Sequence, residues 1–183
     1  MKKIIRGTNF DLVRFKTGDE KLYDLVHSIF NEEIVKGFIN PEYLKFKSKS
    51  KVIKWVESKV SPGCEVWYVI KSKGKYAGYI CYKTRIDCST VCELSIVLAK
   101  GFRGFETGLQ VTKILIDYLV SNKLFGYIIA YANNNNRLAE QLLKKLGFRK
   151  TNKLHKEITD RLYSENISPN IKLNYNLFSI SIK

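Results

Sequence analysis

The residues best placed to do chemistry lie between Cys92 and Asn122. A strand-like run, Cys92-Glu93-Leu94-Ser95-Ile96-Val97-Leu98, passes through Gly101-Phe102-Arg103-Gly104 into a long amphipathic segment. β-Branched Ile96 and Val97 favour a strand, and the two glycines break it. Val111, Leu115, Tyr118 and Leu119 then recur at helical spacing opposite Gln110, Lys113 and Asp117. The pattern reads as strand, phosphate loop, helix. The first turn of a helix carries unpaired N–H groups and the positive end of the macrodipole, so a phosphate placed there meets donors and favourable charge together.

The order of residues adds to this. Glu93 on the strand is followed by Arg103, which opens the run Arg103-Gly104-Phe105-Glu106-Thr107-Gly108. Downstream lies a second block, Asn136-Arg137-Leu138-Ala139-Glu140-Gln141-Leu142-Leu143-Lys144-Lys145-Leu146-Gly147-Phe148. The first block resembles the Arg/Gln-x-x-Gly-x-Gly/Ala signature of the GNAT superfamily of acetyl-CoA-dependent N-acetyltransferases, and particularly its Rim type, which acetylates protein N-termini. The second resembles the Asn-to-Gly-Phe helix that follows the cofactor strand in that family. One position departs: Glu106 stands where the family usually has the middle Gly. Its carboxylate is expected to weaken phosphate binding unless a lysine neutralises it or the side chain points away.

The resemblance implies acetyl-CoA as co-substrate and no metal. It implies that the backbone of Ile96, Val97 and Leu98 holds the thioester carbonyl and the pantetheine arm, and that Arg103, Gly104, Phe105, Glu106, Thr107 and Gly108 surround the pyrophosphate. Asn136 has two readings, a cofactor contact from the resemblance and a helix N-cap from its place before the apolar stripe of the last helix. Glu93 also has two readings. The resemblance makes it the carboxylate that takes the amine proton, usually through water, whereas a buried structural Glu paired with Lys or Arg is the alternative. The family's usual proton donors have no counterpart, because those positions hold Leu143 and Ala139. Either another hydroxyl supplies the proton, with Tyr131 as the candidate, or the thiolate leaves without a dedicated acid.

Positioning these groups requires an α/β fold. The chain is expected to form a single GNAT-like domain over residues 1–183, a mixed central sheet of about six or seven strands flanked by about four helices. Asp11 to Lys16 reads as a first strand and Thr17-Gly18-Asp19 as a turn. A helix capped by Asp19 follows, with Leu22, Leu25, Val26, Ile29 and Phe30 on one face. A short helix is expected within Asn31 to Ile39, and another after Ser48 or Ser50 carries Val52, Ile53, Val56 and Val60. Phe38, Tyr43 and Phe46 between them are candidate acceptor contacts or plain packing.

Glu65 to Ile70 and Tyr76 to Thr84 form a hairpin around Lys73-Gly74-Lys75, and a turn near Asp87-Cys88-Ser89-Thr90 returns the chain as the Glu93 strand. Tyr127 to Tyr131 reads as a buried strand parallel to it. Leu138, Ala139, Leu142, Leu143 and Leu146 form one face of the last helix, which Gly147 stops. Phe148 to Ile158 and Asn174 to Ile182 are expected to close the sheet.

The totals set bounds on function. With 183 residues, 45% hydrophobic, and only 3 prolines, the chain can bury a core without disulfides. No apolar run spans a bilayer, and the apolar start is interrupted at Gly7-Thr8-Asn9, so the expected compartment is the cytoplasm. Cys64, Cys81, Cys88 and Cys92 are expected as reduced thiols, because no second cysteine pair or nearby histidine completes a zinc set. The net charge is +15. Lysines are scattered, which makes nucleic acid an unlikely partner and suits a polyanionic cofactor. Between Ile34 and Val60, Glu42 and Glu57 face seven lysines: Lys36, Lys45, Lys47, Lys49, Lys51, Lys54 and Lys59. An acceptor neutral or anionic outside its amine is therefore expected, either a protein N-terminus or an amino sugar on a nucleotide. A non-catalytic acyl-CoA-binding domain and a basic nucleic-acid-binding module are the alternatives, and self-association into a homodimer stays open.

Overall fold

The computed structural model describes residues 2–36, 48–60, 65–85, 88–151 and 175–182. Phe38, Tyr43 and Phe46, together with most of the strand expected from Phe148 to Ile158, lie outside them. Eight strands form one sheet in the order β1-β2-β3-β4-β5-β6-β8-β7. They are β1 (Ile4–Arg6), β2 (Asp11–Arg14), β3 (Glu65–Ser72), β4 (Lys75–Arg85), β5 (Cys88–Leu98), β6 (Tyr127–Asn133), β7 (Arg149–Lys150) and β8 (Tyr175–Ser181). Only β5 and β6 pair in parallel, and a helical crossover joins them, as a parallel pair requires. That crossover contains a 3-10 turn at Lys100–Phe102 and helix α4 (Phe105–Ser121). The remaining helices are α1 (Glu20–Phe30), α2 (Glu33–Lys36), α3 (Lys49–Val60) and α5 (Arg137–Lys145).

Two apolar layers cover the sheet. On one face α1 and α3 pack Leu22, Val26, Ile29, Val52 and Val56 against Trp67, Val69, Tyr79 and Cys81. Each fully buried aliphatic side chain there contributes on the order of 2 kcal/mol. Asp19 starts α1, its Oδ1 accepting from the Leu22 N–H at 3.1 Å. Trp67 stacks on Tyr79 with ring centroids 4.5 Å apart and meets Trp55 of α3 edge-on. On the other face α4 packs Val111, Leu115 and Leu119 against Leu94, Ile128 and Ala130, and α5 adds Leu143. With both faces covered, β3 is buried from Val66 to Ile70 without alternation.

One strand was not expected, β1 at the edge of the sheet, while β7 and β8 are the two expected to close it, and five helices stand where about four were expected. β1 is only three residues long and ends at the polar turn that masks it in the sequence. Gly78 (φ +153°) is required where β4 passes β5, since a Cβ there would run into the Val97 carbonyl oxygen. Gly147 (φ +88°) ends the α5 segment as expected.

Candidate active site

The parallel ladder between β5 and β6 is short. It pairs Val91 with Tyr127, Cys92 with Ile128 and Glu93 with Ile129, and then stops. Beyond it β5 stays with β4 as far as Leu98, while β6 stays with β8 as far as Asn133. The strands fork, and Glu93 stands at the fork. A cavity of about 650 Å³ fills the gap. It is lined from both sides of the sheet, by Phe30, Ile34 and Val35 on one and by Gly108, Leu142 and Leu143 on the other.

The Glu93 carboxylate accepts a hydrogen bond from Lys83 Nζ at 3.1 Å, the Glu side chain 16% exposed and the Lys 27%. Lys83 is the direct cross-strand partner of Glu93 on β4. The ion-pair reading of Glu93 is thus realised in a side chain that also faces the cavity.

At the open end of β5, Leu98 O accepts from Arg103 Nε at 2.9 Å, and Arg103 Nη1 reaches Glu32 Oε2 at 2.7 Å. Two guanidinium nitrogens are therefore spent within the protein. Nη2 is buried with no hydrogen-bond partner among the described residues. Gly104 caps α4 with extended backbone and no capping side chain. The first α-type bond comes from Gly108 N–H to Gly104 O at 3.1 Å, so the preceding N–H groups of the first turn have no side-chain cap.

Of the residues expected around a cofactor, Ile96, Val97, Leu98, Arg103, Gly104, Phe105, Gly108 and Asn136 all line this one cavity. Glu106 and Thr107 do not, and the Glu106 side chain is exposed. Gly108 has a packing reason as well, because a Cβ there would lie 2.5 Å from Leu142 Cδ1 of α5. Asn136 caps α5, its Oδ1 accepting from the Ala139 N–H at 3.1 Å, and it also lines the cavity. Among the described residues no cluster of three metal-ligating side chains occurs.

Residues 11–149 match the family model described as Acetyltransferase (GNAT) domain. The chain belongs to the GNAT acetyltransferase family. No curated protein sequence matches it. Solved structures do, at low identity. The RimL ribosomal alpha-N-protein acetyltransferase in complex with coenzyme A aligns with a TM-score of 0.74 at 15% identity, covering 98% of both chains. Spermidine N-acetyltransferase from Vibrio cholerae, in complex with CoA and spermine, aligns at 0.73 and 14%, covering 96% of this chain and 97% of that one. The microcin C7 self-immunity acetyltransferase, in complex with acetyl-CoA and AMP, aligns at 0.71 and 13%, covering 96% and 94%.

In this GNAT chain several cavity residues carry no motif. Lys83 is one, set opposite Glu93 by the β4–β5 register. Tyr175 of β8 is another, set beside Asn133 in register. Burial raises its phenol pKa above the ordinary value, against the lowering effect of a hydrogen bond with Asn133. Leu138 is 62% exposed on the first turn of α5 and lines the cavity, although its spacing placed it on the core face. Leu143 and Ala139 also line it and offer no proton, whereas Tyr79, Tyr131 and Tyr175 supply phenols.

Proposed function

We propose that this GNAT enzyme transfers an acetyl group from acetyl-CoA to the primary amine of an acceptor that is neutral or anionic elsewhere, a protein N-terminus with acidic neighbours ahead of an amino sugar on a nucleotide. The observation that carries the acceptor class is the charge of the cavity. Its lining includes Lys59, Lys83 and Arg103 against one carboxylate, Glu93, which Lys83 already pairs. A polyamine or aminoglycoside brings several positive charges and would find no acidic cluster among these lining residues to offset them.

The residues fit the co-substrate. Uncapped N–H groups at the start of α4 and the unpartnered Arg103 Nη2 suit a diphosphate, and the β5 edge released at the fork presents backbone groups to an extended arm. The Asn136 Oδ1 is committed to its cap, which leaves the amide NH2 for a ligand carbonyl. Acetyl-CoA supplies an acyl group activated as a thioester. Glu93 at the fork accepts the proton that the attacking ammonium must lose, through water, and Lys83 holds its carboxylate in place. Tyr131, on the same strand as Ile129, the register partner of Glu93, donates a proton to the departing thiolate.

Thiol release measured at low and moderate ionic strength with an acidic N-terminal peptide, a nucleotide-linked amino sugar and an aminoglycoside tests the acceptor. The peptide or the sugar should turn over fastest at both. Fastest turnover of the aminoglycoside at low salt would reject the charge argument.

A further inference from the structure

We propose that the Thr112 hydroxyl is a binding contact for the pantetheine arm of coenzyme A, pairing with an amide group of that arm. This rests on the acetyl-CoA reading above and adds a residue to it.

Thr112 is 0% exposed in the middle of α4, and its Oγ1 has no hydrogen-bond partner among the described residues. Among the described residues it is the only buried one with a polar side chain other than tyrosine, tryptophan and cysteine. It also lines the cavity. A hydroxyl left alone in an apolar wall costs free energy that a valine of the same shape would not, so its presence calls for a partner that arrives from the cavity.

The surroundings say what kind of partner. On this side of the sheet the cavity wall is built from Gly108, Ala130, Ala132, Ala139, Leu142 and Leu143. Glycine and alanine at four of these six positions line an apolar slot, and none of the six is charged. A phosphate would be stripped of water there without a counter-charge, and an acceptor amine would lack a carboxylate, since Glu93 projects with Lys83 from the strands' other face. A neutral amide linked by alkyl segments suits both the slot and the hydroxyl, which can accept from its N–H or donate to its C=O. Position agrees. Thr112 lies one turn beyond Gly108, about 8–10 Å along α4 from the uncapped N–H groups of Phe105 to Thr107, where a chain leaving the diphosphate enters the gap.

Thr112→Val and Thr112→Ser test the assignment by calorimetric titration with coenzyme A and by thermal melting without ligand. The valine variant should bind coenzyme A about tenfold more weakly, the loss of one hydrogen bond, while melting at or above the wild-type temperature, because the unligated protein sheds an unpaired hydroxyl. The serine variant should bind within about twofold of wild type. Valine-variant binding equal to wild type overturns the assignment and leaves the acetyl-CoA reading standing. A lower melting temperature for the unligated valine variant overturns it too, since the hydroxyl would then be paired within the protein. Failure of the wild type to bind coenzyme A overturns both.

Discussion

Arg103 Nη1 lies 2.7 Å from Glu32 Oε2, and this ion pair joins the loop that starts α4 to the segment between α1 and α2. It therefore bridges the end of the cavity where α4 begins and the side lined by Phe30, Ile34 and Val35. Both side chains are roughly a quarter exposed, at 27% and 22%, so solvent screens the pair only in part.

Glu32→Gln should lower unfolding stability by about 1 kcal/mol. Arg103→Ala should cost more, because it also removes the bond to Leu98 O and leaves Glu32 without its cation. Urea unfolding of the two variants checks the ranking; equal midpoints would show that the Arg103 bond to Leu98 O adds nothing to the ion pair.

Gly108→Ala should destabilise by about 1 kcal/mol, the overpacking against Leu142 exceeding the gain in helix propensity. Leu142→Ala in the same chain should recover part of that loss, which a double-mutant cycle reads directly. Additive costs would mean that α4 and α5 do not compete for this space.

Glu106→Gln should leave coenzyme A affinity within about twofold, because the side chain is exposed and outside the cavity lining. Calorimetry decides. A tenfold tightening would show that the carboxylate faces the phosphates after all.

Buried thiols set an alkaline limit. Burial pushes the Cys92 thiol from 9.0 up to about 12 and raises Cys81 further. In the fold Cys92 keeps its proton where the unfolded chain releases it, so its contribution is whole below 9.0 and is lost as pH rises toward about 12. Cys92→Ala should flatten the fall of unfolding free energy across that window while lowering stability at pH 7. An unchanged slope would contradict the burial argument.

Much of this arrangement is legible in the residues. Asp19 caps α1, the hairpin turns at Lys73-Gly74, and β6 runs parallel to β5, each because a local pattern of turn residues and apolar period decides it. The cavity lining is legible along one stretch, where Glu93, Ile96 to Leu98, Arg103 to Phe105 and Gly108 line it, although Glu106 and Thr107 do not. It was not legible where it depends on register or on distant strands. Lys83 becomes the partner of Glu93 only through the β4–β5 pairing, and Tyr175 enters through β8, which inserts between β6 and β7. Leu138 misled because helical spacing assigns a face but not what lies beneath it, which here is the cavity. Thr112 carried no signal, since a threonine among helical apolar residues is ordinary until its surroundings are known.

The central claim is that acetyl transfer occurs at the β5–β6 fork with Glu93 as the proton acceptor. Acceptor-dependent release of coenzyme A thiol, compared between wild type and Glu93→Gln with coenzyme A affinity measured in parallel, tests it most directly. The account predicts acceptor-dependent release by wild type, a fall of about a hundredfold or more in the variant, and unchanged coenzyme A binding. A variant that keeps the wild-type rate would show that the Lys83–Glu93 pair is structural only.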